Sequence, residues 1–246
     1  MDLKELEAGV DPHVHWYYQS KAVPLRRYLK QRIKASGPIT IVDFGSGSGF
    51  FSELMLHELG SNVKMVYQVD IGYTDEELGE QSDNKKITRV RYTPKNIENA
   101  VVVMMDVLEH IEDDEGILKE ISEAISKPFH YFITVPAFMS VWSSHDVYLE
   151  HYRRYTLPHL TRVLQNVGYS CDAGYYIFQT IFPMVWVVRR LKRQEKNMQA
   201  PDSSDMSPMP GWLNGLLKSY HQWEMSWGKV NKRFGLTCVA EGHGNG

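Results

Sequence analysis

Apolar residues fall into five short blocks along the first half of the chain: 39–43, 64–70, 86–92, 100–105 and 129–135. Runs of this length, rich in Val and Ile, predict buried strands. The segments between them carry helical spacing. Phe51, Leu54, Met55 and Leu59 share one face, with Gly60 placed as a C-cap. Ile117, Leu118, Ile121 and Ile125 make a second such face, which Pro128 ends. Between the second and third blocks only a short helical window follows the Thr74/Glu77 capping-box pattern. Alternation of this kind predicts an α/β chain with a mostly parallel sheet and helices on both faces.

The pattern changes at both ends. A basic, helix-like segment at Leu25–Ile33 precedes the first strand and follows the aromatic run His15-Trp16-Tyr17-Tyr18. Residues 136–155 are rich in His, Trp, Tyr and Arg. A helix at 157–166 ends at Gly168, and 169–177 reads as a sixth strand. Prolines at 201, 208 and 210 among Ser and Met mark 197–211 as a mobile linker. A helix with Trp212, Leu216, Tyr220, Trp223 and Trp227 near one face comes next, and 235–240 reads as the closing strand. The expected organisation is one domain over 1–246, with a helical cap at 1–36 and a helical insertion at 178–232.

Candidate chemistry begins at 41–49, Ile-Val-Asp-Phe-Gly-Ser-Gly-Ser-Gly. A strand runs into Asp43 and then into alternating glycines at Gly45, Gly47 and Gly49, where the backbone can turn sharply and approach a ligand. Strand, glycine loop and helix form the nucleotide-binding corner of a doubly wound sheet. The dinucleotide pattern G-x-G-x-x-G would need a glycine where Phe50 stands. The pattern present is D-x-G-x-G-x-G, with Asp70 ending the second strand. It resembles the S-adenosylmethionine site of class I methyltransferases. That resemblance implies a Rossmann-like, doubly wound sheet of seven strands with the last antiparallel. It implies a cofactor held by Asp43, Gly45, Ser46, Gly47 and Gly49, with Asp70 on the ribose hydroxyls and Ile71 beside it. A carboxylate suits a vicinal diol because it only accepts hydrogen bonds.

The fourth block ends in Asp106-Val107-Leu108-Glu109-His110. This D-V-L-E-H segment resembles the loop after strand four in the small-molecule branch of the same family, so Asp106, Val107 and His110 join the expected cofactor site. Glu109 and His110 read equally well as the opening of a solvated helix. Where relatives carry an acid near the adenine, this chain has Arg91-Tyr92-Thr93-Pro94, and the adenine contact stays open.

Residues 142–156 contain W-S-x-H-D and H-x-R-R-Y-T segments. With the N-terminal aromatic run and Lys21, they resemble a methyltransferase subgroup of glycan and lipid pathways. The resemblance places Trp16, Tyr17, Trp142, Asp146, Arg153, Arg154 and Tyr155 on the acceptor side. His145, with Asp146 beside it in sequence, is the leading candidate base for an oxygen or nitrogen nucleophile, and His151 is the second. The two arginines could grip a carboxylate or phosphate. His145 with its neighbour Asp146, and each arginine, have an alternative reading as an internal structural pair. Metal binding by His145, Asp146 and His151 has no second Cys or His cluster behind it, and no metal is expected.

Composition narrows the class. Of 246 residues, 43% are hydrophobic, enough for a full core, and the net charge of −3 gives no argument for nucleic acid. Two cysteines are too few for a disulfide framework, the polar N-terminus is unlike a signal peptide, and no apolar run could span a bilayer. A cytoplasmic enzyme is expected. Residues 173–188 are strongly apolar and are followed by Arg189, Arg190, Lys192, Arg193 and Lys196. They read either as a core strand with a covering helix or as a weak peripheral contact with the inner face of a membrane. The leading function is methyl transfer from S-adenosylmethionine to a small molecule or a glycan- or lipid-linked intermediate. A nicotinamide-dependent oxidoreductase and a non-catalytic cofactor-binding protein are the alternatives.

Overall fold

The computed structural model describes residues 6, 9–79, 84–126, 128–195 and 209–244. The sheet strands are β1 (Ile39–Phe44), β2 (Val63–Val69), β3 (Ile87–Val90), β4 (Ala100–Met105), β5 (Phe129–Pro136), β6 (Tyr169–Ile177) and β7 (Thr237–Gly244). Their order is β3-β2-β1-β4-β5-β7-β6. The first five pair in parallel, and β7 runs antiparallel between β5 and β6. The expected doubly wound, seven-stranded sheet is thus present. The strand order reverses between β1 and β4, which puts the ligand crevice at their carboxyl ends.

Strand alternation builds two cores. In β4, Val101, Val103 and Met105 join one cluster, while Ala100, Val102 and Met104 join the other. The first core is covered by α1 (Trp16–Ser36) and α2 (Phe50–Leu59), through Tyr18, Leu25, Leu29, Phe51 and Met55. The second lies under α4 (Asp114–Ala124) and α6 (Leu157–Asn166), through Leu118, Ile121, Leu160 and Leu164. The short window after β2 becomes the single-turn helix α3 (Asp75–Gly79), with the Thr74/Glu77 capping bonds formed. A second short helix, α5 (Ser144–Tyr148), stands between β5 and α6.

Two boundaries differ from expectation. The N-terminal helix begins at Trp16 and takes in the aromatic run and Pro24. Local propensity there is poor, but Trp16, Tyr18, Ala22, Leu25 and Leu29 are all buried, so tertiary packing carries the helix. β7 also continues to Gly244, because the charged Glu241 is buried and paired with Lys229 at 2.6 Å. The expected linker falls mostly at 196–208, outside the described residues.

Among the described residues two helices separate β6 from β7 in sequence: α7 (Phe182–Glu195) and α8 (Gly211–Ser226). α8 lies against α1. Trp16 stacks on His221 with centroids 4.8 Å apart, and the Trp16 backbone N–H donates to Asn214 Oδ1 at 2.9 Å. The buried Glu224 anchors the base of α8, accepting from His221 Nδ1 at 2.8 Å, the Gln179 N–H at 2.6 Å and Thr180 Oγ1 at 2.8 Å. Burial opposes its charge, but these donors win and hold the carboxyl below its usual range. Its stabilisation is therefore complete above the unfolded value of about 4.3 and is lost as pH falls through the lower folded value. Glu224→Gln should flatten the acid limb of the stability–pH curve below about pH 4.5, measured by denaturant unfolding. An acid limb as steep as the parent's would contradict this assignment.

Candidate active site

The glycine loop leaves β1 at the sheet's carboxyl edge, with Gly45, Gly47 and Gly49 all at positive φ. At two of these positions the space is taken by protein. A Cβ on Gly45 would lie 2.6 Å from Val107 Cγ1, and one on Gly49 would lie 2.1 Å from Gln68 Nε2. The β1 loop therefore nests directly against the β4 loop and β2. Asp70 braces the turn, accepting from the Gly47 N–H at 2.8 Å and the Gly72 N–H at 2.9 Å. Its carboxylate stays half-buried, and Ile71 beside it is 78% exposed. Ser46 Oγ meets the Tyr73 hydroxyl at 2.8 Å, and Tyr73 also donates to the Gly47 carbonyl at 3.1 Å. Burial raises the Tyr73 phenol, so it remains a donor that pins the loop from beneath. Asp43 is buried at the end of β1.

Asp106 closes the same edge. Its φ of +57° is in the left-handed region, which Asp tolerates better than most residues. The turn aims its carboxylate back at α1. Lys21, fully buried, donates to Asp106 Oδ2. Tyr17 OH donates to the same oxygen at 3.3 Å, and Thr134 Oγ1 donates to Oδ1 at 2.9 Å. Burial raises the Asp106 carboxyl, but the Lys21 charge and these bonds outweigh it, so the group stays ionised. Trp16 and Tyr17 sit at the start of α1, with Tyr17 stacked on Phe178 at 5.0 Å. Thr93, after β3, is buried, and its Oγ1 has no partner among the described residues.

The segment after β5 is organised around Asp146. This residue caps α5, accepting from the Ser143 N–H at 2.8 Å. It also accepts from Arg154 Nε at 2.6 Å and bonds His151 Nδ1 at 2.9 Å. Burial opposes its charge, yet these partners hold its carboxyl well below the usual range. Asp146 thus orients His151, while its sequence neighbour His145 is buried in the first turn of α5. Arg154 also donates to the Ala137 carbonyl at 3.2 Å. Arg153 pairs with Asp114 at 2.9 Å and donates to the Glu112 carbonyl at 2.6 Å. Tyr155 is fully buried and donates to Asp114 at 2.7 Å. The Arg153, Arg154 and Tyr155 side chains are engaged inside the fold, and Trp142 stays half-buried nearby.

His110 and His151 meet edge to face, with centroids 4.6 Å apart. Burial and the neighbouring His151 push His110 down to about 3, so its ring is neutral. Glu109 is fully buried beside them, and burial, reinforced by the Asp106 charge, raises its carboxyl. Sequence reasoning did not assign Glu109, Lys21, Thr134 or Tyr73. Lys21 had a usable signal: a lysine four residues after Tyr17 and next to the buried Ala22.

Comparison with known proteins follows this geometry. Residues 15–173 match a family described as a methyltransferase domain. No curated protein matches the sequence. Among solved structures the chain is similar to an S-adenosylmethionine-dependent methyltransferase from Mesorhizobium loti, at 13% identity and TM-score 0.52, covering 88% of this chain and 96% of that one. It is also similar to the plantazolicin methyltransferase BamL, in complex with a triazolic desmethylPZN analog and SAH, at 10% identity and TM-score 0.53, covering 93% and 86%. A third is the cyclase SpnF, at 10% identity and TM-score 0.51, covering 90% and 81%. Identities this low carry the fold alone, and a cyclase among the neighbours shows that the fold does not fix the reaction. The family match is the stronger finding: it runs from the start of α1 into β6 and takes in the glycine loop, Asp70, Asp106 and the segment around Asp146. The chain belongs to the methyltransferase-domain family.

Proposed function

We propose that the protein is an S-adenosylmethionine-dependent methyltransferase acting on oxygen or nitrogen of a small molecule or a glycan- or lipid-linked intermediate. The observation that carries this reading is the junction of the glycine loop, Asp70 and Asp106 at one strand edge, where β1 and β4 diverge. The residues there fit the cofactor. Asp70 has an accessible carboxylate with spare acceptor capacity for the ribose hydroxyls. Ile71 offers an exposed apolar side chain, and Thr93 a buried hydroxyl without a partner among the described residues, on the adenine side. Gly45, Ser46 and Gly47, with Asp106 and Val107 opposite, would hold the methionine end. Bound there, S-adenosylmethionine supplies a methyl group on a sulfonium, already activated for displacement.

The chain's own task is then to align the acceptor and exclude water. Tyr17 and Lys21 hold α1 over the β4 edge through Asp106. His151 is the better supported of the two candidate bases. Asp146 fixes its Nδ1, which leaves Nε2 to act on the acceptor's nucleophilic atom. Asp146, Arg153, Arg154 and Tyr155 keep that segment in place. With Arg153 and Arg154 already paired, we assign them to positioning of the acceptor loop. The nicotinamide alternative has no support from the family match.

Cofactor binding and turnover test separate parts of this reading. Asp70→Ala removes bonds to an ionised acceptor, each about 1.5–3 kcal/mol, so S-adenosylhomocysteine affinity should fall at least ~10-fold by calorimetry. Gly47→Val should abolish it. Unchanged affinity in either folded variant would remove the cofactor site from this loop. With an acceptor identified by mass-shift screening with labelled cofactor, His151→Ala should lower kcat by about 10²–10⁴-fold while leaving that affinity intact. A parallel loss of cofactor affinity would make His151 a structural pin.

A lipid-linked acceptor has a second line of support. No helix among the described residues is long and apolar enough to cross a membrane. α7 exposes Met184, Val187, Val188 and Leu191, and α8 exposes Trp212, Leu216, Tyr220, Trp223 and Trp227. Exposed indole rings on one helix and exposed apolar residues next to arginines on another suit a bilayer interface. We expect the protein to float with anionic liposomes at low salt and Trp212→Glu/Trp223→Glu to remain in solution. Equal behaviour of the two proteins, or no flotation of the parent, removes the membrane contact.

A further inference from the structure

The loop after β4 and the segment after α5 bring three acceptor groups together. A Glu109 carboxyl oxygen, a His110 ring nitrogen and a His151 ring nitrogen lie within 4.8 Å of one another. Both Glu109 oxygens, His110 Nε2 and His151 Nε2 are buried without a hydrogen-bond partner among the described residues. Glu109 itself is completely inaccessible to solvent. Buried polar groups without partners are expensive.

The surroundings explain why these atoms point inward. His151 Nδ1 is bonded to Asp146 Oδ1 at 2.9 Å, so the ring proton sits there and Nε2 carries the lone pair. The His110 ring bonds to the backbone of Leu149, and with Nε2 unpartnered that contact falls on Nδ1. Each imidazole is thus fixed with Nε2 facing the cluster. Asp146 is itself held by Arg154 at 2.6 Å and by the Ser143 N–H at 2.8 Å. The Tyr152 N–H donates to the Glu109 carbonyl at 2.7 Å, which ties the two segments together. A carboxylate or carbonyl behind each histidine is the outer shell usual for a metal site. This set differs from the His145, Asp146 and His151 trio that sequence suggested: Asp146 stands behind a ligand, and His145 is not in the cluster.

We propose that Glu109, His110 and His151 form a binding site for one divalent transition-metal ion. Two imidazoles and one carboxylate favour zinc or iron(II) over magnesium or calcium. Metal–ligand bonds of about 2.0–2.2 Å would draw the three donors slightly closer than they stand here. Three protein ligands leave at least one position open for an oxygen donor. In the proposed reaction that donor would be the acceptor's hydroxyl, which the ion would hold and acidify, with His151 Nε2 then serving as a ligand to the ion in place of a free base; this role rests on the methyltransferase reading, whereas the site does not.

Cobalt(II) titration of the metal-free, full-length protein tests the site without cofactor or acceptor. The parent should bind one Co²⁺ per chain and develop visible ligand-field bands. Glu109→Gln, a near-isosteric change, and His151→Ala should each weaken binding at least ~10-fold. His57→Ala, an exposed histidine on α2, should bind like the parent. Far-UV circular dichroism checks that the variants fold. Absence of a stoichiometric Co²⁺ complex in the parent, or parent-like affinity in folded Glu109→Gln, overturns the proposal. A parent that binds Co²⁺ but not S-adenosylhomocysteine keeps the metal site and loses the methyltransferase reading.

Discussion

The buried ion pair between Lys21 and Asp106 is the constraint on which the functional end of the molecule depends. Both side chains are out of water, and separating them would leave an uncompensated charge in the interior. Breaking such a pair by removing one partner costs about 3–5 kcal/mol. The pair joins the N-terminal helix to the residue where β4 turns out of the sheet. It therefore decides where Trp16 and Tyr17 stand and how the loop at 106–110 leaves the strand. Thr134, on the neighbouring strand β5, holds the other oxygen of Asp106 and completes the clamp.

From that clamp, organisation spreads by close packing. Val107 follows Asp106 and fills the space a side chain on Gly45 would need. The glycine loop and the β4 loop are thus shaped by each other, and Asp70 and Tyr73 fix the loop from its other side. Further along, Glu109 and His110 are carried towards His151, whose own position is set by Asp146. The proposed cofactor side and the proposed acceptor side thus share a single turn of chain.

Much of this was legible in the sequence because it rests on local patterns. Strand blocks and the glycine loop followed from spacing, Asp70 and Asp106 came with the family resemblance, and the seven-stranded sheet with its last strand antiparallel agrees with what that resemblance implied. What was not legible depends on contacts far apart in the chain. The start of α1 is set by burial against α8 and β1, across residues with little helical propensity of their own. The partner of Asp146 is another case. Adjacency suggested His145, but on a one-turn helix neighbouring side chains diverge, and the chain reversal after α5 brings His151 back instead. Glu109 read as a helix-start acid on a solvated face, yet it sits in a separate 3-10 turn at Leu108–His110 with its side chain buried, and the α-helix begins only at Asp114. Arg154 read as an acceptor-side cation or an internal pair and Lys21 as part of an N-terminal pattern, and the fold shows both buried, each paired with an aspartate.

Amide hydrogen exchange of Lys21→Met against the parent tests the central claim most directly. Removing the ammonium should speed exchange in two segments together, the first turns of α1 at 16–21 and the β4 loop at 106–110. Strands β6 and β7 should keep the parent's protection. Faster exchange confined to α1, or no change at 106–110, would mean that the pair does not hold the two segments together.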